Sequence, residues 1–436
     1  MDRRLFEQLE AWKIKDRRKP LILMGARQVG KTFLLQQFAR EKYRNHVYLN
    51  FEDTPALKKL FEESLQPKDI LRNISIESNL KIEPGETLLI FDEIQECPSA
   101  LNSLKYFCES ANEYHICAAG SLLGVKLMHT KGFPVGKVDF LHLYPLGFFE
   151  FLQAVNETEL YEYLQEYQDV TPLSEFLHDK LIRLFKVYMF VGGMPEAVAN
   201  YIDVGNYSNV SEIHQAILNA YSLDFAKHAP KDQLMKISQV WDSIPGQLAK
   251  ENKKFIYSVI RKGARAREYE LAIQWLVEAG LIYKAYNVST PKLPLEAYVN
   301  FEFFKIYLLD VGLLGAISHL SPKAIIDGNA LFQEFRGAST ENYVAQELVR
   351  SRYGLYYWTS AGKAELDFLI QHNDTIYPLE VKSGNSGRKK SLRVYGEQYH
   401  PKLLARTSPM NLRKDGDVLN CPLYLLSRLG CYLDRI

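Results

Sequence analysis

Three short stretches of the first 125 residues carry side chains whose types and spacing suit phosphate chemistry. GARQVGKT (25–32) follows the apolar run LILM and opens the amphipathic segment FLLQQFAREKY. In the pattern GxxxxGK[ST] between a strand and a helix, Gly25 and Gly30 let the backbone wrap so that its N–H groups converge on a phosphate. Lys31 adds a point charge for the outer phosphates, and the Thr32 hydroxyl is a ligand for Mg²⁺. Ala26, Arg27, Gln28 and Val29 complete the loop, and Phe33 follows it, so residues 25–33 are the expected nucleotide contact. About 60 residues on, LLIFDEIQ (88–95) ends a buried-strand pattern in two carboxylates. Asp92 is placed to hold Mg²⁺, and Glu93 to polarise an attacking water, which makes the site hydrolytic. Ser121, closing the run HICAAGS, is the candidate contact to the γ-phosphate or to that water.

A second constellation lies near the C-terminus. ELDFLIQHNDTIYPLEVK (365–382) folds on paper as a hairpin about a turn at Asn373-Asp374, which sets Asp367 opposite Glu380 and Glu365 opposite Lys382. The other face pairs Leu366 with Val381, Phe368 with Leu379 and Ile370 with Tyr377, an apolar set that reads as core. Two opposed carboxylates repel one another unless a cation or a lysine lies between them.

The elements that must position these groups follow from hydrophobic periodicity. LILMG (21–25), HVYLNF (46–51), TLLIFDE (87–93) and YHICAAGS (114–121) are short apolar runs, each followed by a helix-like segment or a loop, the pattern of a parallel α/β sheet. From about 170 to 280 the spacing is helical, interrupted at Gly192, Gly193 and Pro195. Phe176, Phe185, Tyr188 and Phe190 read as a core stripe. Residues 281–288 and 303–309 read as two strands about a Pro-containing loop, and 331–353 as a helix before strands near 355–359, 365–371 and 375–382. The expected domains are therefore 1–155, 156–330 and 331–436, consistent with 436 residues at roughly 100–200 per domain.

Composition excludes more than it selects. Hydrophobic residues at 47% and charged residues at 24% fit a globular chain rather than a disordered one. The net charge of +1 carries no global signal for nucleic acid or membrane, so any such affinity is local. Five cysteines without a CxxC pair argue against a disulfide framework or a zinc site, and a reducing cytoplasm is expected. No apolar stretch reaches the ~20 residues that span a bilayer, and the charged N-terminus lacks a signal-peptide core. Two local basic excesses stand out. Lys250, Lys253, Lys254, Arg261, Lys262, Arg265 and Arg267 face Glu251 alone, and residues 381–436 hold eleven Lys and Arg against four Asp and Glu, with Arg388, Lys389, Lys390 and Arg393 following the hairpin.

The strand–GARQVGKT–helix start, LLIFDEIQ and the AGS after the next strand resemble the prokaryotic AAA-type ATPases that carry a C-terminal domain of unknown function, class 4143. LHLYPLGFFEFL (141–152), VGGMPEAV (191–198), FKIYLLDVGLLGA (304–316), STENYVAQEL (339–348) and PLEVKSG (378–384) extend that resemblance over nearly the whole chain. It implies a P-loop NTPase sheet of AAA type and Mg-dependent ATP binding and hydrolysis. Gly136-Lys137 stands where the family pattern has Gly-Arg before the YPL segment, so an arginine-finger role there is not carried over. The D…ExK hairpin is similar to restriction-endonuclease-like nucleases. That similarity implies that Asp367 and Glu380 hold a second Mg²⁺ or a Mn²⁺, that Lys382 orients or activates water, and that Glu341 supplies a helical carboxylate. The basic segment at 250–267, between helices and a strand pair, resembles a winged helix. The expected fold is thus an α/β P-loop domain, a helical and winged-helix-like middle, and a restriction-endonuclease-like α/β C-terminal domain. The expected partners are ATP, DNA at the basic segments, and a protein partner or a second copy of the chain. Two functions follow: an ATPase that rearranges a nuclease-like module, or a nucleotide-gated interaction protein that cuts nothing.

Overall fold

A computed structural model describes residues 3–54, 56–121, 133–250, 254–328, 330–360, 364–384 and 390–436, and their side chains outside 327–334. Two compact units emerge: Met1–Tyr144 with Glu278–Gly280, and Pro145–Val277 with Leu281–Ile436.

In the first unit the four expected runs are strands β1 (Leu21–Met24), β2 (Asn45–Asn50), β3 (Thr87–Asp92) and β4 (His115–Ala119). A fifth, β5 (Asp139–His142), was not expected from its pattern. It is short, and its residues alternate between half-buried and exposed, so it lacks the apolar run that marks the others. The sheet is wholly parallel in the order β2-β3-β4-β1-β5. Every residue of β3 and β4 is buried, as a parallel strand covered on both faces requires. Because β4 lies between β1 and β3, the segments leaving the C-terminal ends of all three strands emerge side by side. That edge is where open α/β sheets bind ligands.

The second unit begins with helices, among them Glu175–Val191, Pro195–Val204, Tyr207–His228 and Leu234–Leu248. Phe185, Tyr188 and Phe190 are buried as expected, whereas Phe176 is 74% exposed. At about 100° per residue, Phe176 points opposite Phe185, so a stripe drawn through both leaves the buried face. The remaining strands are β6 (Ile282–Val288), β7 (Val299–Leu308), β8 (Tyr356–Thr359), β9 (Glu365–His372), β10 (Thr375–Val381), β11 (Leu404–Ser408), β12 (Arg413–Asp415) and β13 (Val418–Pro422). They form one eight-stranded sheet, β12-β13-β11-β10-β9-β8-β6-β7. The parallel pairing of β6 with β8 makes the strand pair of the middle region and the C-terminal strands neighbours in that sheet. Among the described residues no helix is long and apolar enough to cross a membrane, and the five cysteines are free.

Two sequence motifs without evident chemistry turn out to be packing devices. Gly192 has φ +69°, and Gly193 donates its N–H to Asp310 Oδ2 at 2.7 Å, while Asp310 Oδ1 accepts the N–H of Leu313 at 3.0 Å and caps the helix Val311–Ile317. A Cβ on Gly193 would stand 2.0 Å from the Leu146 carbonyl oxygen, so only glycine fits. Burial pushes the Asp310 carboxyl up to about 6 against the pull of these N–H groups. In the same unit, Arg350 is paired with Glu150 at 2.7 Å and Glu347 at 3.3 Å, and donates to the Pro145 carbonyl. A Cβ on Gly147 would strike its guanidinium.

Candidate functional site

The loop after β1 has the shape its glycines suggested. Gly25 (φ +149°), Gln28 (φ +65°) and Gly30 (φ +93°) adopt conformations that turn the backbone sharply into the helix Lys31–Lys42. A Cβ on Gly25 would lie 2.3 Å from the Leu143 carbonyl oxygen. Lys31, only 7% exposed, donates from Nζ to Gly25 O at 3.0 Å and Ala26 O at 2.8 Å, which anchors the ammonium at the loop. Ala26 and Val29 are buried, Arg27 pairs with Glu52 at 3.5 Å, and Phe33 is 55% exposed.

Thr32 Oγ1 donates to Asp92 Oδ2 at 2.6 Å, so the expected magnesium ligands from the helix Lys31–Lys42 and from β3 meet. The same Oδ2 accepts from Tyr48 OH at 2.8 Å, and Asp92 Oδ1 accepts the Glu93 N–H at 3.0 Å. Tyr48, on β2, is a site residue that spacing did not single out. Its signal was a tyrosine near the C-terminal end of a strand adjoining β3. Burial, with Asp92 adding to it, pushes the Tyr48 phenol above its ordinary range. Glu93 sits in the left-handed region at φ +48°, and its Oε2 accepts from Ser121 Oγ at 3.1 Å and Ser121 N at 3.4 Å and from the Gln95 amide. Strain of this kind at a carboxylate beside a phosphate loop fits a functional position. Lys31, Thr32, Asp92, Glu93 and Ser121 therefore converge, and the donor set, two oxygens beside a buried ammonium at a helix N-terminus, fits a magnesium nucleotide. Lys137 is salt-bridged to Glu109 at 2.9 Å.

At the second constellation the hairpin register is as expected from Thr375↔His372 to Leu379↔Phe368, and Leu366, Phe368, Ile370, Tyr377 and Leu379 are buried. Beyond that pair the β9–β10 ladder ends. In the pairing with β8, Tyr356↔Leu369 is followed by Trp358↔Leu366, a bulge that disrupts the ladder at Asp367 and Phe368. That bulge faces β8 and leaves the β9–β10 register untouched, yet no ion pair between Glu365 and Lys382 is seen among the described residues. Glu365 pairs with Lys305 of β7 at 2.5 Å, while Lys382 pairs with Glu380 of its own strand. Asp367 Oδ2 accepts the Val381 N–H at 2.7 Å. Glu341, buried on the helix Ala330–Arg350, takes hydrogen bonds from Tyr307 OH and, at 3.3 Å, from Lys305 Nζ. Burial alone would lower the Lys305 ammonium, yet Glu341, Glu365 and Asp367 raise it above its ordinary value. Burial pushes the Glu380 carboxyl up against the pull of Lys382. Among the described residues, which include all of these acids, no three Asp, Glu, His or Cys side chains are arranged to hold a metal ion. Lys305 is thus the group that spacing missed. Its signal was a single charge inside the apolar run FFKIYLL.

Of the basic residues, Arg261, Lys262, Arg265 and Arg267 are exposed, with Arg261 paired to Glu268 at 2.5 Å, and Lys254 lies 3.2 Å from the Phe303 ring centre. Glu251, Lys253, Arg388 and Lys389 lie outside the described residues. Arg393 pairs with Glu397 at 2.7 Å.

Comparison with known families matches residues 17–152 to an AAA domain, 182–324 to a domain of unknown function of class 8612, and 336–424 to a domain of unknown function of class 4143. No protein of curated function matches the chain. Similar solved structures include the Walker-type ATPase Paby2304 of Pyrococcus abyssi, 15% identical with a TM-score of 0.46, covering 73% of this chain and 95% of that one. The Orc1 protein of Aeropyrum pernix in complex with DNA is 14% identical with a TM-score of 0.31, covering 72% and 90%. AMPPCP-bound DnaA from Aquifex aeolicus is 14% identical with a TM-score of 0.28, covering 62% and 85%. With TM-scores below 0.5 these likenesses carry no argument; residues 17–152 are similar to an AAA domain and residues 336–424 to a domain of unknown function of class 4143.

Proposed function

We propose that the protein binds ATP at residues 25–33 and hydrolyses it in a Mg²⁺-dependent reaction, and that turnover rearranges the second unit. The observation that carries this reading is the meeting of Thr32 Oγ1 with Asp92 Oδ2 at 2.6 Å beside a Glu93 carboxylate held by Ser121. The loop N–H groups and the N-terminus of the helix Lys31–Lys42 bind phosphate oxygens, and the Lys31 ammonium offsets the charge of the outer ones. Thr32 and Asp92 would hold Mg²⁺, which when bound neutralises charge on the β- and γ-phosphates. Glu93 accepts a hydrogen bond from water and directs its lone pair at the γ-phosphorus. The new P–O bond forms as the bond to the β–γ bridging oxygen breaks, leaving ADP and phosphate, and the proton goes to phosphate or solvent.

Steady-state ATP turnover tests this. Lys31→Ala should lose both binding and turnover. Glu93→Gln should bind nucleotide yet turn over about 10²–10⁴-fold more slowly, the usual worth of a general base. Chelating Mg²⁺ should silence the wild type. A wild type no faster than Lys31→Ala removes the ATPase reading. Rearrangement is tested by hydrogen exchange over residues 336–424 in Glu93→Gln with ATP against ADP, where identical protection removes that part.

A second reading, a nucleotide-gated interaction protein whose nuclease-like C-terminal module does not cleave, is favoured by the lysine already seated among the C-terminal carboxylates. The exposed Lys262, Arg265 and Arg267, next to a helix and strand pair of winged-helix character, support a nucleic-acid backbone as the partner. DNA binding should weaken steeply with salt, and Arg265→Ala with Arg267→Ala should flatten the salt slope by about one for each phosphate no longer neutralised.

A further inference from the structure

We propose that Lys305 is the resident cation of the C-terminal carboxylate cluster: its ammonium stands where the D…ExK pattern calls for a divalent ion, and the cluster is assembled without metal. The inference is independent of the nucleotide reading.

The argument starts from charge. Glu341, Glu365, Asp367 and Glu380 are brought together by one helix and two strands, an arrangement that repels itself unless a cation is included. Lys305, on β7, is fully buried, and a buried ammonium without counter-charge is unstable. Each solves the other's problem. Lys305 Nζ lies 2.5 Å from Glu365 Oε1 and 3.3 Å from Glu341 Oε1, and packs 4.8 Å from the centre of the Tyr357 ring.

The deeply buried charges are then balanced. Glu341 and Glu380 are buried, and against them stand Lys305 and the half-buried Lys382, whereas Glu365 and Asp367 are partly solvated. One oxygen of each carboxylate already has a donor: Tyr307 OH and Lys305 on Glu341 Oε1, Lys305 on Glu365 Oε1, the Val381 N–H on Asp367 Oδ2, and Lys382 on Glu380 Oε1. A divalent ion needs several oxygens at about 2.0–2.6 Å, and would have to take them from an ammonium that repels it. The end of the hairpin adds a geometric reason, since the β9–β10 ladder stops at Leu379↔Phe368 and Asp367 turns its carboxylate onto the Val381 N–H. Glu380 Oε2, buried without a hydrogen-bond partner among the described residues, is the atom at which a metal would enter if the inference were wrong.

The test is Mn²⁺ uptake by the nucleotide-free full chain, read from the electron paramagnetic resonance of free Mn²⁺. Wild type and Glu380→Gln should take up equal amounts. Lys305→Met should gain one Mn²⁺ per chain, lose it again when Asp367→Asn is added, and melt higher in millimolar Mn²⁺ while the wild type does not. A wild-type site that Glu380→Gln or Asp367→Asn abolishes overturns the proposal, as does a stable Lys305→Met that gains no Mn²⁺. Should Lys305→Met fail to fold, adding Glu341→Gln removes the carboxylate left unpaired and should restore soluble, folded protein. A double variant no better than the single one also overturns it.

Discussion

Ser121 and Tyr48 show how single hydrogen bonds organise the Asp92-Glu93 carboxylate pair. Ser121 fastens Glu93, and Tyr48 fastens Asp92, so neither acid is free to swing. A hydrogen bond to a charged group is worth about 1.5–3 kcal/mol, a factor of roughly 13–160. Ser121→Ala should therefore lower ATP turnover by about that factor with little change in nucleotide affinity, measured as kcat against the dissociation constant. Tyr48→Phe removes one of the donors to Asp92, and the Mg²⁺ concentration for half-maximal turnover should shift by a similar factor. Ser121 was legible because a Gly-Ser after a buried strand stands out. Tyr48 was not, because its role depends on β2 lying beside β3.

The loop after β1 and the Gly192-Gly193 break depend on backbone approaches that no side chain tolerates. Gly25→Ala places a methyl 2.3 Å from the Leu143 oxygen at φ +149°, and should abolish nucleotide binding or lower the melting temperature of the first unit, checked by calorimetry with and without ATP. Asp310→Asn retains the shape of the helix cap but turns an amide N–H₂ toward one of two backbone donors, and should destabilise by about 1–3 kcal/mol in denaturant titration. The hairpin register was legible from turn position and alternation. The bulge at Asp367 and Phe368 was not, since it belongs to the pairing of β9 with β8 and leaves no mark in β9 alone.

Each unit also carries a buried histidine that contributes to its response to acid. His115, bonded to Tyr43 OH at 2.8 Å, and His214, whose Nε2 meets the Val191 carbonyl at 2.9 Å, are lowered by burial to about 4. A base whose pKa is depressed on folding favours the folded state above its unfolded value of 6.5, and that stabilisation is lost as pH falls from there toward 4. Thermal unfolding of the first unit should therefore shift down across this window, whereas in the second the raised Asp310 carboxyl acts in the opposite sense, and His214→Gln should remove the acid-side loss there while leaving that of the first.

Everything local was written in the chain order: the phosphate loop, the Asp92-Glu93 pair, the β9–β10 turn and most strands are contiguous patterns whose period or glycine content is read residue by residue. Contacts between distant segments were not. Lys305 with Glu341, Arg350 with Glu150 and Asp310 with Gly193 join residues 36, 200 and 117 positions apart, and each is the meeting of a buried charge or carboxylate with its partner. Local periodicity reports which face of an element is apolar, but not which element will cover it. The identity of the cation among the C-terminal carboxylates therefore depended on where β7 comes to lie, a matter of packing that a linear spacing rule does not contain.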